Sequence, residues 1–380
     1  MHAEPNRSAL AGALAIDALV RHGVRHVVLA PGSRSSPLVA AAVAHPALDV
    51  RIHLDERGAA FRALGIGRAT GAPAAVVTTS GTAVANLLPA AVEAGRDHVP
   101  LVLLTADRPP ELHDVGANQA IHQHDLFPPY TRASATLAPI ADETDLEGYV
   151  DTLDAVIGAA VGDAPGPVQA NVQLREPLAP TPEDWDRSIV EGLAERTAPP
   201  AGGTDDVPAG AFGDVSNAER PLLVLGTGAS MPTGIGWPVF ADLRSGLREG
   251  PRDAWLPHLD EALAIGAVPP PDVVVQLGGR LTSKGLAVQL ARGEHTQHVL
   301  VDPVAPGPDP NFGTTRHVRA DVGAATSALG ALGLRAPMPD AWREADRAVA
   351  EALTRTIDDH DELTEPYVAR HVARARAGRG

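Results

Sequence analysis

Residues 74–86 read Ala74-Ala75-Val76-Val77-Thr78-Thr79-Ser80-Gly81-Thr82-Ala83-Val84-Ala85-Asn86. The apolar run at 74–78 predicts a buried strand, and the small and apolar residues at 82–94 predict a helix. Between them lies a turn of hydroxyl groups and glycine, so the stretch has the order strand, turn, helix. In open α/β sheets, ligands bind at such turns, beyond the carboxyl ends of the strands.

Strand and helix patterns alternate on both sides of this stretch. Apolar runs that predict strands are found at 24–30, 50–54, 101–105 and 168–174. Runs that predict helices are found at 8–22, 38–44, 56–70 and 151–161. This alternation predicts right-handed βαβ units around a mostly parallel sheet. A second, smaller doubly wound α/β domain is predicted by apolar runs at 221–226, 236–242, 272–277 and 299–301.

The chain of 380 residues therefore divides into four predicted segments. Residues 1–180 form the first α/β domain, and residues 181–219, which are rich in Pro, Gly and Asp, form a linker. Residues 220–335 form a central α/β domain. Residues 336–380 form a helical connection, with one helix at 341–356 and another that starts at Thr364-Glu365-Pro366, where Thr364 is the predicted N-cap.

Composition excludes several classes of protein. The formal net charge of −16 disfavours a nucleic-acid partner, because such a surface requires basic patches. No apolar run approaches the roughly 18 residues of a membrane span. The chain has no cysteine, which excludes disulfides, thiolate metal sites and a cysteine nucleophile. We therefore expect a cytoplasmic protein. Lys284 is the sole lysine in this acidic chain.

Glu56 is the first candidate catalytic residue. It follows a predicted strand and opens a predicted helix, a position at which the helix dipole favours an acid. A buried carboxylate there would have a raised pKa and could share a proton with a ring nitrogen. The alternative is an ordinary first-turn carboxylate.

Other polar residues at predicted strand ends also have two interpretations. The turn Ser80-Gly81-Thr82 could hold a heteroaromatic ring or an anion, or it could simply cap a helix. Arg34 and Arg108 could each pair with a substrate carboxylate, or they could be surface arginines.

Five strings of residues occur in an order that points to one family. They are Pro31-Gly32-Ser33-Arg34-Ser35-Ser36-Pro37-Leu38, Asp55-Glu56-Arg57, Leu104-Thr105-Ala106-Asp107-Arg108-Pro109-Pro110-Glu111-Leu112, Gly116-Ala117-Asn118-Gln119-Ala120-Ile121 and Arg175-Glu176-Pro177-Leu178. With the run at 79–86, they resemble the 2-succinyl-5-enolpyruvyl-6-hydroxy-3-cyclohexene-1-carboxylate synthases of menaquinone biosynthesis. The resemblance is strongest over residues 1–180.

The resemblance implies a thiamine diphosphate- and Mg²⁺-dependent transferase with a pyrimidine-binding domain and a central domain. Such an enzyme decarboxylates 2-oxoglutarate and adds the succinyl unit to isochorismate, releasing CO₂. Glu56 would hold N1′ of the aminopyrimidine ring, and Ser80, Gly81 and Thr82 would also bind the cofactor.

The residues implied in substrate binding are Ser33, Arg34, Arg108, Gln119 and Lys284. Gly285 departs from the family pattern, which usually has arginine after that lysine. The expected protein partner is another copy of the chain, in a homodimer or homotetramer, or a second chain that carries the diphosphate-binding domain.

The resemblance also implies a third domain, in which a Gly-Asp motif and a later Asn hold the diphosphate and Mg²⁺. We find no such segment; Gly213-Asp214 lies in the predicted linker. His113, His122 and His124 are interpreted as ordinary polar residues, since a His-Gln-His loop rarely supplies a metal shell. We therefore expect no metal ligand, and a truncated chain that is inactive alone. Two alternatives remain, a non-catalytic regulatory or binding subunit and another thiamine enzyme such as an acetolactate synthase.

Overall fold

The computed structural model describes residues 6–179, 190–192, 206–248, 254–304, 307, 309–310, 312–359 and 363–377. The chain forms two compact units, Met1–Gly202 and Gly203–Gly380. Each unit contains one sheet whose strand pairs are all parallel. The predicted α/β class with two doubly wound, mostly parallel sheets is therefore confirmed. Most of the predicted linker lies outside the described residues.

The first unit has a six-stranded sheet, called sheet A, with the order β2-β1-β3-β4-β6-β5. Its strands are β1 (His26–Ala30), β2 (Asp49–Ile52), β3 (Ala74–Thr78), β4 (Leu101–Asp107), β5 (Ala133–Leu137) and β6 (Pro167–Gln173). Its helices are α1 (Arg7–Arg21), α2 (Ser36–Ala44), α3 (Glu56–Thr70), α4 (Thr82–Ala85), α5 (Leu88–Asp97) and α6 (Leu146–Gly158). Apolar residues of α1, α2 and α6 cover one face of sheet A, and those of α3, α4 and α5 cover the other.

Two predictions for this unit were wrong in detail. The single helix expected at 82–94 is divided into α4 and α5, with Pro89 in the first turn of α5. Proline has no N–H and fixes its own φ, so it begins a helix more readily than it continues one. The strand β5 was not predicted. It pairs only with β6, at the edge of the sheet, and its alternating half-buried residues lack an apolar run.

The second unit has a five-stranded sheet, called sheet B, with the order β11-β10-β9-β7-β8. Its strands are β7 (Pro221–Leu225), β8 (Val239–Ala241), β9 (Val273–Leu277), β10 (Gln297–Val301) and β11 (Arg316–Val318). Its helices are α7 (Leu259–Ala264), α8 (Lys284–Ala291), α9 (Val322–Ala331), α10 (Asp340–Asp358) and α11 (Glu365–Ala377). The short edge strand β11 is the one strand here that the sequence did not predict.

Helix α10 is fixed to the second unit by its first turn. Trp342 is completely buried, and its indole Nε1 donates a hydrogen bond to the Pro269 carbonyl oxygen at 2.9 Å. The next helix begins as predicted, with the Tyr367 N–H directed to the Thr364 hydroxyl at 3.4 Å. None of the helices in the described part of the chain is long and apolar enough to cross a membrane.

Candidate functional site

The loops at the carboxyl edge of sheet A pack directly on one another. A side chain at Gly32, after β1, would overlap Thr79, after β3, because an added Cβ would lie 2.5 Å from the Thr79 Cβ. Similarly, a Cβ at Gly81 would lie 3.2 Å from backbone atoms of Gln119. Glycine at these two positions therefore allows three loops to meet, as predicted for a pocket at this edge.

The turn after β3 has a backbone conformation that glycine alone adopts readily. Gly81 has φ 81° and ψ −141°, and its N–H donates to Gln123 Oε1 at 2.7 Å. The hydroxyl oxygens of Thr78 and Ser80 are buried and have no hydrogen-bond partner among the described residues. Thr82 opens α4 and is exposed. The turn thus contains buried hydroxyl oxygens whose hydrogen-bonding capacity the described residues do not use.

Glu56 is less buried than the sequence suggested. It is the first residue of α3, whose N-cap Asp55 accepts a hydrogen bond from the Gly58 N–H at 2.8 Å. The carboxylate is half-buried, because it follows β2, the outermost strand at one edge of sheet A. It has no hydrogen-bond or ion-pair partner within the described part of the chain. The Glu56 carboxylate is therefore open to a ligand.

Arg34 is not a surface arginine. It is only 4% exposed, and its Nη1 donates to the Leu174 carbonyl oxygen at 2.8 Å. Burial lowers the pKa of its guanidinium, and the positive charge of Arg108 lowers that pKa further. The nearest counter-charge is Glu176, whose Oε1 lies 3.7 Å from Arg34 Nη2. The negative charges of Glu176 and Asp107 oppose this lowering of the Arg34 pKa.

Arg108 contacts the loop that carries Gln119. Its Nε donates to the Asn118 carbonyl oxygen at 2.9 Å, and its backbone N–H donates to Asp107 Oδ1 at 2.7 Å. Gln119 is exposed and has φ 56°, a left-handed conformation that is uncommon for a non-glycine residue. Ser33 is also exposed, in the short helical turn before α2. The structure thus gathers Ser33, Arg34, Ser80, Gly81, Thr82, Arg108 and Gln119 on loops at one edge.

A buried polar network behind these loops was not recognised from the sequence. It consists of Thr105, Asp107, Gln123, Gln169 and Asn171, all nine-tenths or more buried. Burial raises the pKa of the Asp107 carboxyl, while hydrogen bonds from Asn171 and from the Arg108 N–H oppose that effect. The available signal was the presence of polar residues inside apolar strand runs, where an unpaired polar group would be costly.

Lys284 belongs to the second unit. It is the first residue of α8 and is exposed, and the preceding Ser283 caps the helix by accepting from the Leu286 N–H at 3.1 Å. A cation at a helix N-terminus is disfavoured by the helix dipole, so this position gives the side chain no local stability. In the described residues, its ammonium has no ion-pair or hydrogen-bond partner.

Two family models match the chain. The model described as "Thiamine pyrophosphate enzyme, N-terminal TPP binding domain" matches residues 10–126. The model described as "Middle domain of thiamine pyrophosphate" matches residues 228–380. Thiamine pyrophosphate is another name for thiamine diphosphate, and the first match includes Glu56, the turn at Gly81 and Arg108.

Three curated relatives share the name 2-succinyl-5-enolpyruvyl-6-hydroxy-3-cyclohexene-1-carboxylate synthase. The relative from Rubrobacter xylanophilus is 38% identical, over 97% of this chain and 68% of that protein. The chain belongs to this synthase family. The synthase from Salinibacter ruber is 40% identical, over 96% of this chain and 66% of that protein. The synthase from Halobacterium salinarum is 39% identical, over 93% of this chain and 65% of that protein. The chain thus spans about two thirds of the length of these synthases.

Membership in the synthase family confirms the resemblance found in the sequence motifs. At Gly285, where the sequence departs from the family pattern, the structure shows little space for a side chain. A Cβ at this position would lie 3.1 Å from the Asp260 carbonyl oxygen, which is tight for any side chain. The arginine that the resemblance places here would therefore require a small shift of α7 relative to α8.

The histidines near Gln119 do not form a metal site within the described residues. No group of three or more His, Asp or Glu side chains there could hold a metal ion. His122 pairs instead with Asp114, at 3.0 Å, and His113 lies 3.6 Å from Asp107. His113, Asp114 and His122 line a cavity of about 110 Å³.

Proposed function

We propose that this chain supplies the pyrimidine-binding and central domains of a synthase that uses 2-oxoglutarate and isochorismate. The reaction releases CO₂ and gives 2-succinyl-5-enolpyruvyl-6-hydroxy-3-cyclohexene-1-carboxylate. The main support is the geometry of two arginines in a member of this family: Arg34 is buried, and Arg108 donates to the Asn118 carbonyl oxygen, next to the Gln119 backbone that contacts the Gly81 turn. The names of the relatives favour this function over that of an acetolactate synthase.

The first unit fits the aminopyrimidine half of thiamine diphosphate. The Gly81 turn lies beyond the carboxyl end of β3, and beside it the hydroxyl oxygens of Thr78 and Ser80 have no partner among the described residues. Glu56 would hold a proton at the ring nitrogen N1′, because its carboxylate has no competing partner in the described residues. When bound, thiamine diphosphate supplies the electron sink for cleaving and forming carbon–carbon bonds.

Both proposed substrates are polyanions, and the proposed substrate residues are mostly cations. Arg34 is held by the Leu174 carbonyl and Arg108 by the Asn118 carbonyl, so both guanidiniums are oriented before a ligand arrives. A substrate carboxylate would offset the burial of Arg34 and the repulsion from Arg108, the two effects that lower the pKa of the Arg34 guanidinium. Ser33 and Gln119 would add hydrogen bonds, and Lys284 would bind another carboxylate.

Mg²⁺ binding, cellular location and assembly form part of the same proposal. Mg²⁺ and the diphosphate would be held by a further domain, supplied by a second chain. The expected cytoplasmic location and homo-oligomeric assembly also remain predictions.

The decisive experiment is a reconstitution. The chain is assayed with thiamine diphosphate, Mg²⁺ and both substrates, alone and together with the diphosphate-binding domain of the Rubrobacter xylanophilus synthase. We expect CO₂ release only in the mixture and only with 2-oxoglutarate, and full product only when isochorismate is added.

Each other outcome contradicts a defined part of the proposal. Robust turnover by the chain alone would exclude the need for a supplied domain. Turnover of pyruvate instead of 2-oxoglutarate would favour an acetolactate synthase. No thiamine-dependent chemistry in any mixture would favour the regulatory or binding subunit.

A further inference from the structure

The Gly81 turn is held from two sides by one segment of the first unit. On one side, the backbone of Gln119 fills the space where a side chain at position 81 would lie. On the other side, the Gln123 side chain accepts the Gly81 N–H at 2.7 Å. Gln119 and Gln123 are four residues apart, so the loop that carries a proposed substrate residue also holds the proposed cofactor turn.

Gln123 is itself held by strands β4 and β6. Its Nε2 donates to the Ala106 carbonyl oxygen at 3.0 Å and to Asn171 Oδ1 at 2.8 Å. The amide therefore uses both donors on the sheet and presents its oxygen to Gly81. The side chain is completely buried, so water cannot replace a lost partner without a change in structure.

The orientation of these amides depends on a carboxylate. Asn171 Nδ2 donates to Asp107 Oδ2 at 2.8 Å, which directs Asn171 Oδ1 to Gln123 and to the Thr105 hydroxyl. A reversed Asn171 amide would place its oxygen against the Asp107 carboxylate and its NH₂ against the Gln123 NH₂. Asp107 thus determines which Asn171 atom faces Gln123, and in turn which Gln123 atom faces the Gly81 N–H.

We infer that Gln123 is a positioning residue, which Asp107 and Asn171 orient so that its side-chain oxygen holds the Gly81 turn in a ligand-binding conformation. Asp107 also binds the Arg108 N–H. One carboxylate therefore contacts both a proposed substrate residue and the amide network that holds the proposed cofactor turn. The assignment to thiamine diphosphate rests on the proposed function, whereas the hold on Gly81 does not.

The purely structural alternative is that Gln123 only fills and satisfies the core. Gln169 offers a matched control, because it is an equally buried glutamine in the same network. Its Nε2 donates to the Thr105 hydroxyl at 3.3 Å and to the Gln123 carbonyl oxygen at 3.2 Å, but it does not bond to Gly81. Gln123→Met and Gln169→Met thus remove the same group from neighbouring places, and only the first leaves the Gly81 N–H unpaired.

The Gly81 amide can be observed selectively by NMR. The chain contains two Ser-Gly steps, Ser80-Gly81 and Ser245-Gly246. Labelling serine with carbonyl ¹³C and glycine with ¹⁵N therefore leaves two amide signals in a carbonyl-filtered spectrum, with Gly246 in the other unit as an internal reference. Hydrogen exchange of the two amides is followed in the wild type and in both variants, and thiamine diphosphate is then titrated into each.

We expect Gln123→Met to accelerate exchange at Gly81 by about tenfold, while Gln169→Met leaves it unchanged and neither variant affects Gly246. Equal acceleration in both variants, or none in Gln123→Met, would overturn the positioning role. If Gln123→Met does not fold, hydrogen exchange of the Gly81 amide in the wild type decides, because an unprotected amide there also overturns the positioning role. A wild-type Gly81 signal that thiamine diphosphate does not move contradicts instead the cofactor placement in the proposed function.

Discussion

Asp107 and Asp242 are buried carboxylates at strand ends, one in each sheet, and they make different hydrogen bonds. In sheet A, Asp107 closes β4, and in sheet B, Asp242 follows β8; both are 1% exposed. Asp242 accepts hydrogen bonds from the backbone N–H groups of Arg244, Thr282 and Ser283, at 3.0, 2.8 and 3.1 Å, and from the Thr282 hydroxyl at 2.5 Å, and so fixes the loop before Lys284 directly. Asp107 binds one backbone N–H, of Arg108, and one side-chain amide, of Asn171.

The difference shows how one fold can serve a scaffold or a site. A carboxylate bonded to backbone N–H groups fixes only the segment that carries them. A carboxylate bonded to a side-chain amide also determines how that amide faces its next partner, and here the effect reaches the Gly81 turn. In sheet A, buried side chains thus determine the hydrogen bonding of the Gly81 turn, at the carboxyl edge of the sheet.

The largest effect on turnover is expected from substitution of Glu56. A large loss of kcat would locate the chemistry at sheet A. In a preparation that turns over both substrates, Glu56→Gln should lower kcat on the order of 10²–10⁴-fold, because the amide cannot hold the ring proton. Glu147→Gln is the matched control, since Glu147 lies in the first turn of α6, which is also capped by an aspartate. Steady-state rates decide, and near-wild-type turnover of Glu56→Gln would remove it from its role.

The next largest effect concerns His298, buried in sheet B. Burial, with a smaller effect of His295, lowers the pKa of His298 from 6.5 to about 4. Between those values the unfolded chain binds a proton that the folded chain does not, so the free energy of unfolding should fall as pH drops. The loss is at most about 3 kcal/mol for this one group.

Urea unfolding of the second unit at pH 7 and pH 4.5 measures this effect. His298→Gln should flatten the pH dependence, whereas His122→Gln, at an exposed site of the first unit, should not. An unchanged slope in His298→Gln would mean that other groups cause the acid sensitivity.

The two carboxylates themselves provide a direct test of the comparison. Asp107→Asn and Asp242→Asn each replace an acceptor with a donor facing an N–H, and each should lower the free energy of unfolding by about 1–3 kcal/mol. Their local effects should differ: the first should change the Gly81 amide signal and the second that of Gly246, after the turn that Asp242 caps. If both variants disturb both signals, or if Asp107→Asn spares Gly81, the contrast between the sheets is wrong.

The smallest effect is expected at Lys284. Lys284→Gln should leave the second unit as stable or stabilise it by about 0.3–1 kcal/mol, because it removes a cation from the N-terminus of α8. The same change should raise KM for a carboxylated substrate. Arg292→Gln, at the other end of α8, should have the opposite sign in stability and no effect on KM. Lower stability in Lys284→Gln would indicate a structural role instead.

Local patterns predicted the part of the fold that depends on burial. The predicted helix at 56–70 and strand at 74–78 coincide with α3 and β3, because β3 is buried on both faces and α3 has a clear cap and a glycine end. The strands β5 and β11 were missed because an edge strand needs no continuous apolar run. The break between α4 and α5 has a signal in the sequence, because Pro89 begins a helix more readily than it continues one.

The site could be predicted only where a residue type suffices. A carboxylate after a strand, as at Glu56, and a glycine turn, as at Gly81, are visible in the sequence. The role of Gln123 depends on Asn171, which is 48 residues away, and on Gly81, which is 42 residues away, so neither spacing nor propensity could reveal it. The half-exposure of Glu56 likewise follows from strand order, which a single sequence does not state.

The burial of Trp342 has an optical consequence. Indole emission shifts to longer wavelength when the ring enters water, so release of the first turn of α10 would be visible as a red shift. Trp237 and Trp255 also lie in the second unit, and of the four tryptophans only Trp185 lies outside the described residues. In a Trp185→Phe variant, all the intrinsic indole emission would come from the unit that does not carry Glu56.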